Sequence, residues 1–202
     1  MTWLILGLVL FLGAHSTRIF ADEWRTRTLA AWGEKPFKAA CALVSLLGFY
    51  GLIVGYAEVR LHPVFLWQPP IATRHISVLL MLFASILLVA AYIPANHFKV
   101  RLGHPMVLSV KVWALAHLLS NGNLADVILF GSFLAWSVMN FKSARARDRA
   151  QADNQAQVSS EAAPPTLPKT SATLIAVAAG ASVWGLITFV LHARLIGVSP
   201  LG

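Results

Sequence analysis

The chain is dominated by long apolar runs closed off by polar or basic residues, the first of them TWLILGLVLFLGAH at residues 2–15. A bilayer core about 30 Å thick requires about 20 apolar residues per helical crossing. Six candidate spans follow: 3–20, 39–57, 76–93, 106–119, 124–141 and 172–192. The fourth is short and carries Lys111. The reading is an all-α integral membrane helical bundle of about six transmembrane helices, one domain over 1–202. Composition agrees: 57% of residues are hydrophobic, 12% are charged, and the mean hydropathy is +0.69. The net charge of +8 does not point to nucleic acid, because the basic residues stand at the ends of the apolar runs. Cys41 is the sole cysteine, so no internal disulfide is possible, and it reads as a small packing residue.

Basic residues set the orientation. The 18–38 loop holds Arg18, Arg25, Arg27, Lys35 and Lys38; the 94–105 loop holds Lys99 and Arg101; the 142–171 loop holds Lys142, Arg145, Arg147, Arg149 and Lys169. The opposite side has only Arg60, Arg74 and Arg194. The positive-inside rule puts the three basic loops in the cytoplasm and both termini outside. The first run lacks a basic stretch before it and is read as a span, not a signal peptide. Asn121-Gly122-Asn123 suits a tight reversal, making spans four and five an antiparallel hairpin. In the 142–171 loop, KSARARDRAQADNQAQ is polar and rich in helix formers and is expected to extend the fifth helix. VSSEAAPPTLPKT reads as a Ser/Pro-rich flexible linker.

Ionisable residues within spans are functional candidates. Of the seven histidines, His62, His75 and His97 fall in loops or at their edges, with His104 at the inner edge and His192 at the outer edge. His15 lies roughly 18 Å from Trp3, and His117 roughly 17 Å from Met106, at 1.5 Å per residue. Both therefore fall near mid-membrane. His104 and His117 are 13 residues apart, about 20 Å along a helix and on different faces. They cannot share one metal. His15 meets the depth criterion best as the partner of His117, and two neutral imidazoles across a bundle suit axial ligation of haem iron. No Cys, Glu or third His completes a zinc site at that depth.

Around this pair, Arg18 and Lys111 lie on the cytoplasmic side, placed either to meet haem propionates or to snorkel to headgroups. Asp126 is the one acid inside a span. It reads as an acceptor for the second N–H of His117 or as an interfacial acid. Trp113 shares a helical face with His117, as packing or as a wall for the haem edge. Asn121 reads as a cap or turn residue. His104-Pro105 reads as a helix start with proline in the first turn.

The run GHPMVLSVKVWALAHLLSNGNLADVILFGSFLAWS, residues 103–137, resembles the signature of the NnrU family of bacterial membrane proteins, with its HPM, WALAHLL, NG and FGSF elements in order. GAHSTR at 13–18 matches the family's first-span histidine, and LHARLIGVSP at 191–200 its C-terminal end. The resemblance implies a bacterial inner-membrane protein associated with denitrification and nitric oxide metabolism. The family is also similar to the plant zeta-carotene isomerases, haem b enzymes that isomerise a polyene. That similarity puts haem ligands at His15 and His117, and the motif histidine at His104.

Three functions follow as expectations. One is a haem b protein with His15 and His117 as metal ligands, flanked by Arg18, His104, Trp113 and Asp126. Another is a haem-dependent isomerase or redox enzyme acting on a lipid-soluble polyene. The third is a cofactor-free assembly factor. Partners would be membrane lipid and either denitrification enzymes or a lipid-soluble substrate. Isoprenylcysteine-type methyl transfer fits poorly. No arginine adjoins His104-Pro105, and no acid lies between Asp126 and Asp148.

Topology is testable with single cysteines in a Cys41→Ser background. A membrane-impermeant maleimide on spheroplasts should label a cysteine near residue 200 and spare one in the 142–171 loop. The opposite pattern would invert the assignment.

Overall fold

A computed structural model of the chain describes residues 1–158 and 167–201. It is all-α: α1 Thr2–Phe20, α2 Asp22–Trp32, α3 Glu34–Val59, α4 Ile71–Ala90, α5 His97–Leu102, α6 Pro105–Ser120, α7 Leu124–Val158, α8 Thr170–Leu186 and α9 His192–Ile196, with a π turn, Ile187–Leu191, between the last two. Among the described residues, five helices are long and apolar enough to cross a membrane: Thr2–Phe20, Glu34–Val59, Ile71–Ala90, Leu124–Gln155 and Thr170–Ile196. The protein is a multi-pass membrane protein. Helix α6, at the fourth expected span, has 16 residues. At 1.5 Å per residue that is about 24 Å, short of a full hydrocarbon core.

Two helices lie where hydropathy indicated only loop. Helix α2 opens with Asp22 and Glu23, whose charge suits a helix N-terminus, and carries an Arg27–Glu23 pair at 2.9 Å. It stops at Gly33, whose φ of 86° few other residues adopt. None of its residues is buried, which is why an apolar-run reading passes over it. Helix α5 begins at the buried Asn96, whose side chain accepts from Lys99 N at 2.9 Å and donates to the Ala90 carbonyl at 2.8 Å. The polar segment after residue 141 does continue α7, as expected. Most of the expected Ser/Pro-rich linker, residues 159–166, lies outside the described residues.

The chain divides into two compact units. The first is Met1–Gln68 with Asn121–Asn140, and the second is Pro69–Ser120 with Phe141–Gly202. In the first, α1 and α3 meet backbone to backbone. A Cβ on Gly7 would stand 2.5 Å from Leu52 N, one on Gly48 2.5 Å from Phe11 N, and one on Gly55 would collide with Leu4 N. Lipid offers no hydrophobic drive between helices, so close packing of small residues holds them together. Outward-facing Val9, Leu43, Leu46 and Tyr50 are exposed, as a lipid-facing surface requires.

The start of α7 is tied into the same unit. The Val64 carbonyl accepts from Leu124 N at 2.8 Å, and the Gly122 carbonyl accepts from Leu66 N at 2.8 Å. Asn123 caps α7 by accepting from Asp126 N at 3.0 Å. Asp126, only 1% exposed, accepts from the Tyr56 hydroxyl and the Asn123 amide.

In the second unit, α4 is the central helix. Ser77 Oγ donates to the Ala116 carbonyl at 2.6 Å, and Ser109 Oγ to the Ala84 carbonyl at 2.8 Å, fastening α6 to α4. Gly180 of α8 leaves room for Ile86, 2.5 Å from where a Cβ would sit, and Trp184 Nε1 donates to the Val78 carbonyl at 3.0 Å.

Two outcomes test this packing. Gly7→Val and Gly48→Val should each lower the thermal midpoint in detergent, by an overpacking cost of about 1–3 kcal/mol. Gly13→Ala, with open space around it, should not. Tyr56→Phe removes a donor from a buried carboxylate and should cost about 1–3 kcal/mol, read by the same unfolding assay. A neutral result would show that the hydroxyl is dispensable.

Candidate functional site

His15 sits on α1, five residues before the helix ends at Phe20. Its Nδ1 lies 2.7 Å from the Phe11 carbonyl one turn back. A carbonyl oxygen only accepts, so Nδ1 carries the proton and the neutral ring keeps its lone pair on Nε2. The imidazole is exposed and stands in an aromatic setting. Phe11 is 4.5 Å away between ring centroids, and Trp136 meets the imidazole edge-on at 6.2 Å. Trp136 Nε1 is buried and has no hydrogen-bond partner among the described residues. Such an orphaned donor carries an energetic cost and calls for an explanation. Arg18 stands in the last turn of α1, three residues beyond His15.

His117, on α6 in the second unit, is wired identically. Its Nδ1 is 2.9 Å from the Trp113 carbonyl, and the Trp113 ring lies 5.2 Å from its own. The shared helical face of Trp113 and His117 therefore becomes a ring contact. Ala116 beside it is anchored through Ser77, so α6 presents the half-buried imidazole from a fixed backbone. His192 has the same arrangement from another direction. Its Nδ1 is 2.7 Å from the Val198 carbonyl, brought back by Gly197 in the left-handed conformation.

The other candidates have different partners. Pro105 is the first residue of α6, so His104-Pro105 is a helix start. His104 Nε2 lies 2.9 Å from Asp148 Oδ2, with Arg145 Nη1 3.6 Å from the same oxygen. The carboxylate engages the nitrogen that serves His15 and His117 as lone-pair donor. Gly103, at φ 78°, makes this corner, and a Cβ there would press on Arg145 Nη1 at 3.2 Å. Lys111 Nζ lies 4.7 Å above the Phe141 ring, a cation–π contact. Asp126 has taken Tyr56 and Asn123 as its donors. The sequence did not reveal the His104–Asp148 pair, whose members are 44 residues apart, nor the Tyr56–Asp126 bond. No spacing signal marks either.

The residues fit a group that binds imidazole nitrogen. A metal-ligating histidine donates its other N–H to a carbonyl or carboxylate, and His15, His117 and His192 all do so. Among the described residues, no cluster of three or more His, Cys, Asp or Glu could hold a metal ion.

Comparisons with curated proteins and with solved structures gave no match. The family model described as NnrU protein matches residues 3–200. The histidine-bearing helices α1 and α6 and the C-terminal turn at His192 all fall inside that match, and the chain belongs to the NnrU family.

Proposed function

We propose that this protein is a haem b-binding protein of the bacterial inner membrane, with both termini periplasmic, serving denitrification and nitric oxide metabolism. His15 and His117 are its axial ligands. The observation that carries this reading is their common wiring: each gives its Nδ1–H to the carbonyl one helical turn back, which leaves Nε2 as the donor atom. Holding the ring on its own helix also removes rotamer freedom that ligation would otherwise have to restrict. Trp136, with its unmatched indole N–H beside His15, and Trp113 beside His117 support the same reading as walls for a flat, largely apolar group. Arg18 is placed one turn past His15 to meet a propionate. Lys111 lies over the Phe141 ring, His104 pairs with Asp148, and Asp126 accepts from Tyr56 and Asn123.

Bound haem iron supplies one-electron transfer while both imidazoles stay, and a coordination position for gas or substrate when one leaves. The chain's own residues fix the tautomers, orient the rings and shape the apolar surroundings. The second reading, a haem-dependent isomerase of a lipid-soluble polyene, draws on the exposure of His15 within a spanning helix. An apolar substrate could approach that side of α1 from the bilayer. Denitrification enzymes are the partners of the first reading and membrane lipid of both.

The deciding measurement is the visible spectrum of detergent-purified protein, oxidised and reduced, after expression with ample haem. Wild type should show a Soret band of a low-spin bis-imidazole centre. His15→Ala and His117→Ala should each lower haem affinity at least about tenfold, the loss already seen for residues one step behind a ligand. Absence of the band in wild type would leave the cofactor-free assembly factor. A band untouched by either substitution would remove the ligand assignment. Added carbon monoxide or nitric oxide reports whether a coordination position opens.

A further inference from the structure

Trp136 departs from the way this chain treats its other buried polar groups. Among the described residues, its indole Nε1 is the only buried side-chain nitrogen or oxygen without a hydrogen-bond partner. Trp184 shows the ordinary solution, donating from Nε1 to the Val78 carbonyl at 3.0 Å. The neighbours of Trp136 are already committed. Ser137 Oγ donates to the Leu134 carbonyl at 2.8 Å, and the Phe11 carbonyl holds His15 Nδ1–H at 2.7 Å. Hydrocarbon supplies no acceptor either. A tryptophan of the headgroup belt turns its N–H to the wet side, whereas this N–H is covered.

The surroundings of the indole belong to the first unit and are aromatic. Its ring stands at 90° to the His15 ring, with centroids 6.2 Å apart. Phe133, one turn back on α7, lies 5.8 Å from Phe11, and Phe11 lies 4.5 Å from His15 and 6.2 Å from Phe49. This cluster offers a guest two polar functions side by side: the Nε2 lone pair of His15 and the N–H of Trp136. A guest that satisfies both must bring an oxygen acceptor. Haem b has oxygen only on its two propionates, and its ring nitrogens are taken by iron.

We propose that Trp136 is a positioning residue of the haem site, whose indole N–H donates to a propionate oxygen. This rests on the reading that His15 binds haem. The hydrogen bond turns the propionate edge of the ring toward α7 and fixes its rotation about the bond to His15. It also makes the site selective, because a porphyrin without carboxylates leaves the N–H unpaired. Seating the oxygen requires the side chains over the N–H to shift, so the indole resonance reports the event directly.

The test titrates full-length protein in detergent with haem b and with iron etioporphyrin, which has the same metal and ring nitrogens but no oxygen. Trp136→Phe keeps an aromatic wall and removes the donor. It should lower haem b affinity about tenfold or more, the loss of one hydrogen bond to a charged group, and leave iron etioporphyrin affinity unchanged. In nitrogen-15-labelled wild type with reduced, diamagnetic iron, the indole N–H signal missing from Trp136→Phe should move downfield with haem b and not with iron etioporphyrin. A Trp136→Phe with the wild-type thermal midpoint that binds both porphyrins equally weakly overturns the proposal, leaving the indole as a wall. So does an indole signal that stays in place when haem b binds, and the wild-type signal decides even where the variant folds poorly. A wild type with no Soret band overturns the haem reading itself, and this inference with it.

Discussion

Hydrocarbon offers a peptide group no hydrogen-bonding partner, and that constraint organises this protein. Every backbone N–H and C=O in the bilayer core must be satisfied within the chain, which leaves helices as the solution for apolar runs of this length. The same medium removes the hydrophobic drive that would press helices together in water. Contact is made instead where backbones can touch, as at Gly7, Gly48 and Gly55 between α1 and α3, or where a short polar side chain finds a neighbouring carbonyl. Ser77 on α4 and Ser109 on α6 do the latter. Asp126 is the most demanding case. A carboxyl group 1% exposed is tolerable because Tyr56 and Asn123 both donate to it.

Helix carbonyls also organise the chemistry. In water an imidazole can donate from either nitrogen, and the tautomers exchange. In an apolar helix the carbonyl one turn back is the nearest strong acceptor, and His15 and His117 both use it. The helix itself thereby puts the proton on Nδ1 and the lone pair on Nε2. His192 reaches the same state by a different route, through a left-handed Gly197 and the returning chain. His104 goes the other way, its Nε2 paired with Asp148 at the polar end of α6. Residues of one type thus divide into ligand candidates and a corner-holding residue according to which nitrogen meets which acceptor.

Much of the architecture was legible in the apolar runs. Each expected span has a helix, and the polar stretch past residue 141 extends α7. Helix α2 was not legible because its stability comes from charge placement and ends rather than from an apolar face. The candidate site was half legible. Trp113 beside His117 follows from helical spacing alone, and the ring contact confirms it. The partners of Asp126, Lys111 and His104 did not follow, since Tyr56, Phe141 and Asp148 are distant in sequence and no periodicity links them.

The sequence by itself determined the class: an all-α membrane bundle, the place of each apolar helix, family membership and the histidines worth weighing. Those depend on run length and local spacing, which a linear string contains. Only the tertiary structure decided the donors that cover Asp126, the pairing of His104 with Asp148, and the return of the Val198 carbonyl to His192. A hydrogen bond requires two atoms within about 3 Å, and a single π turn redirects a side chain by about 100° without leaving any mark in hydropathy.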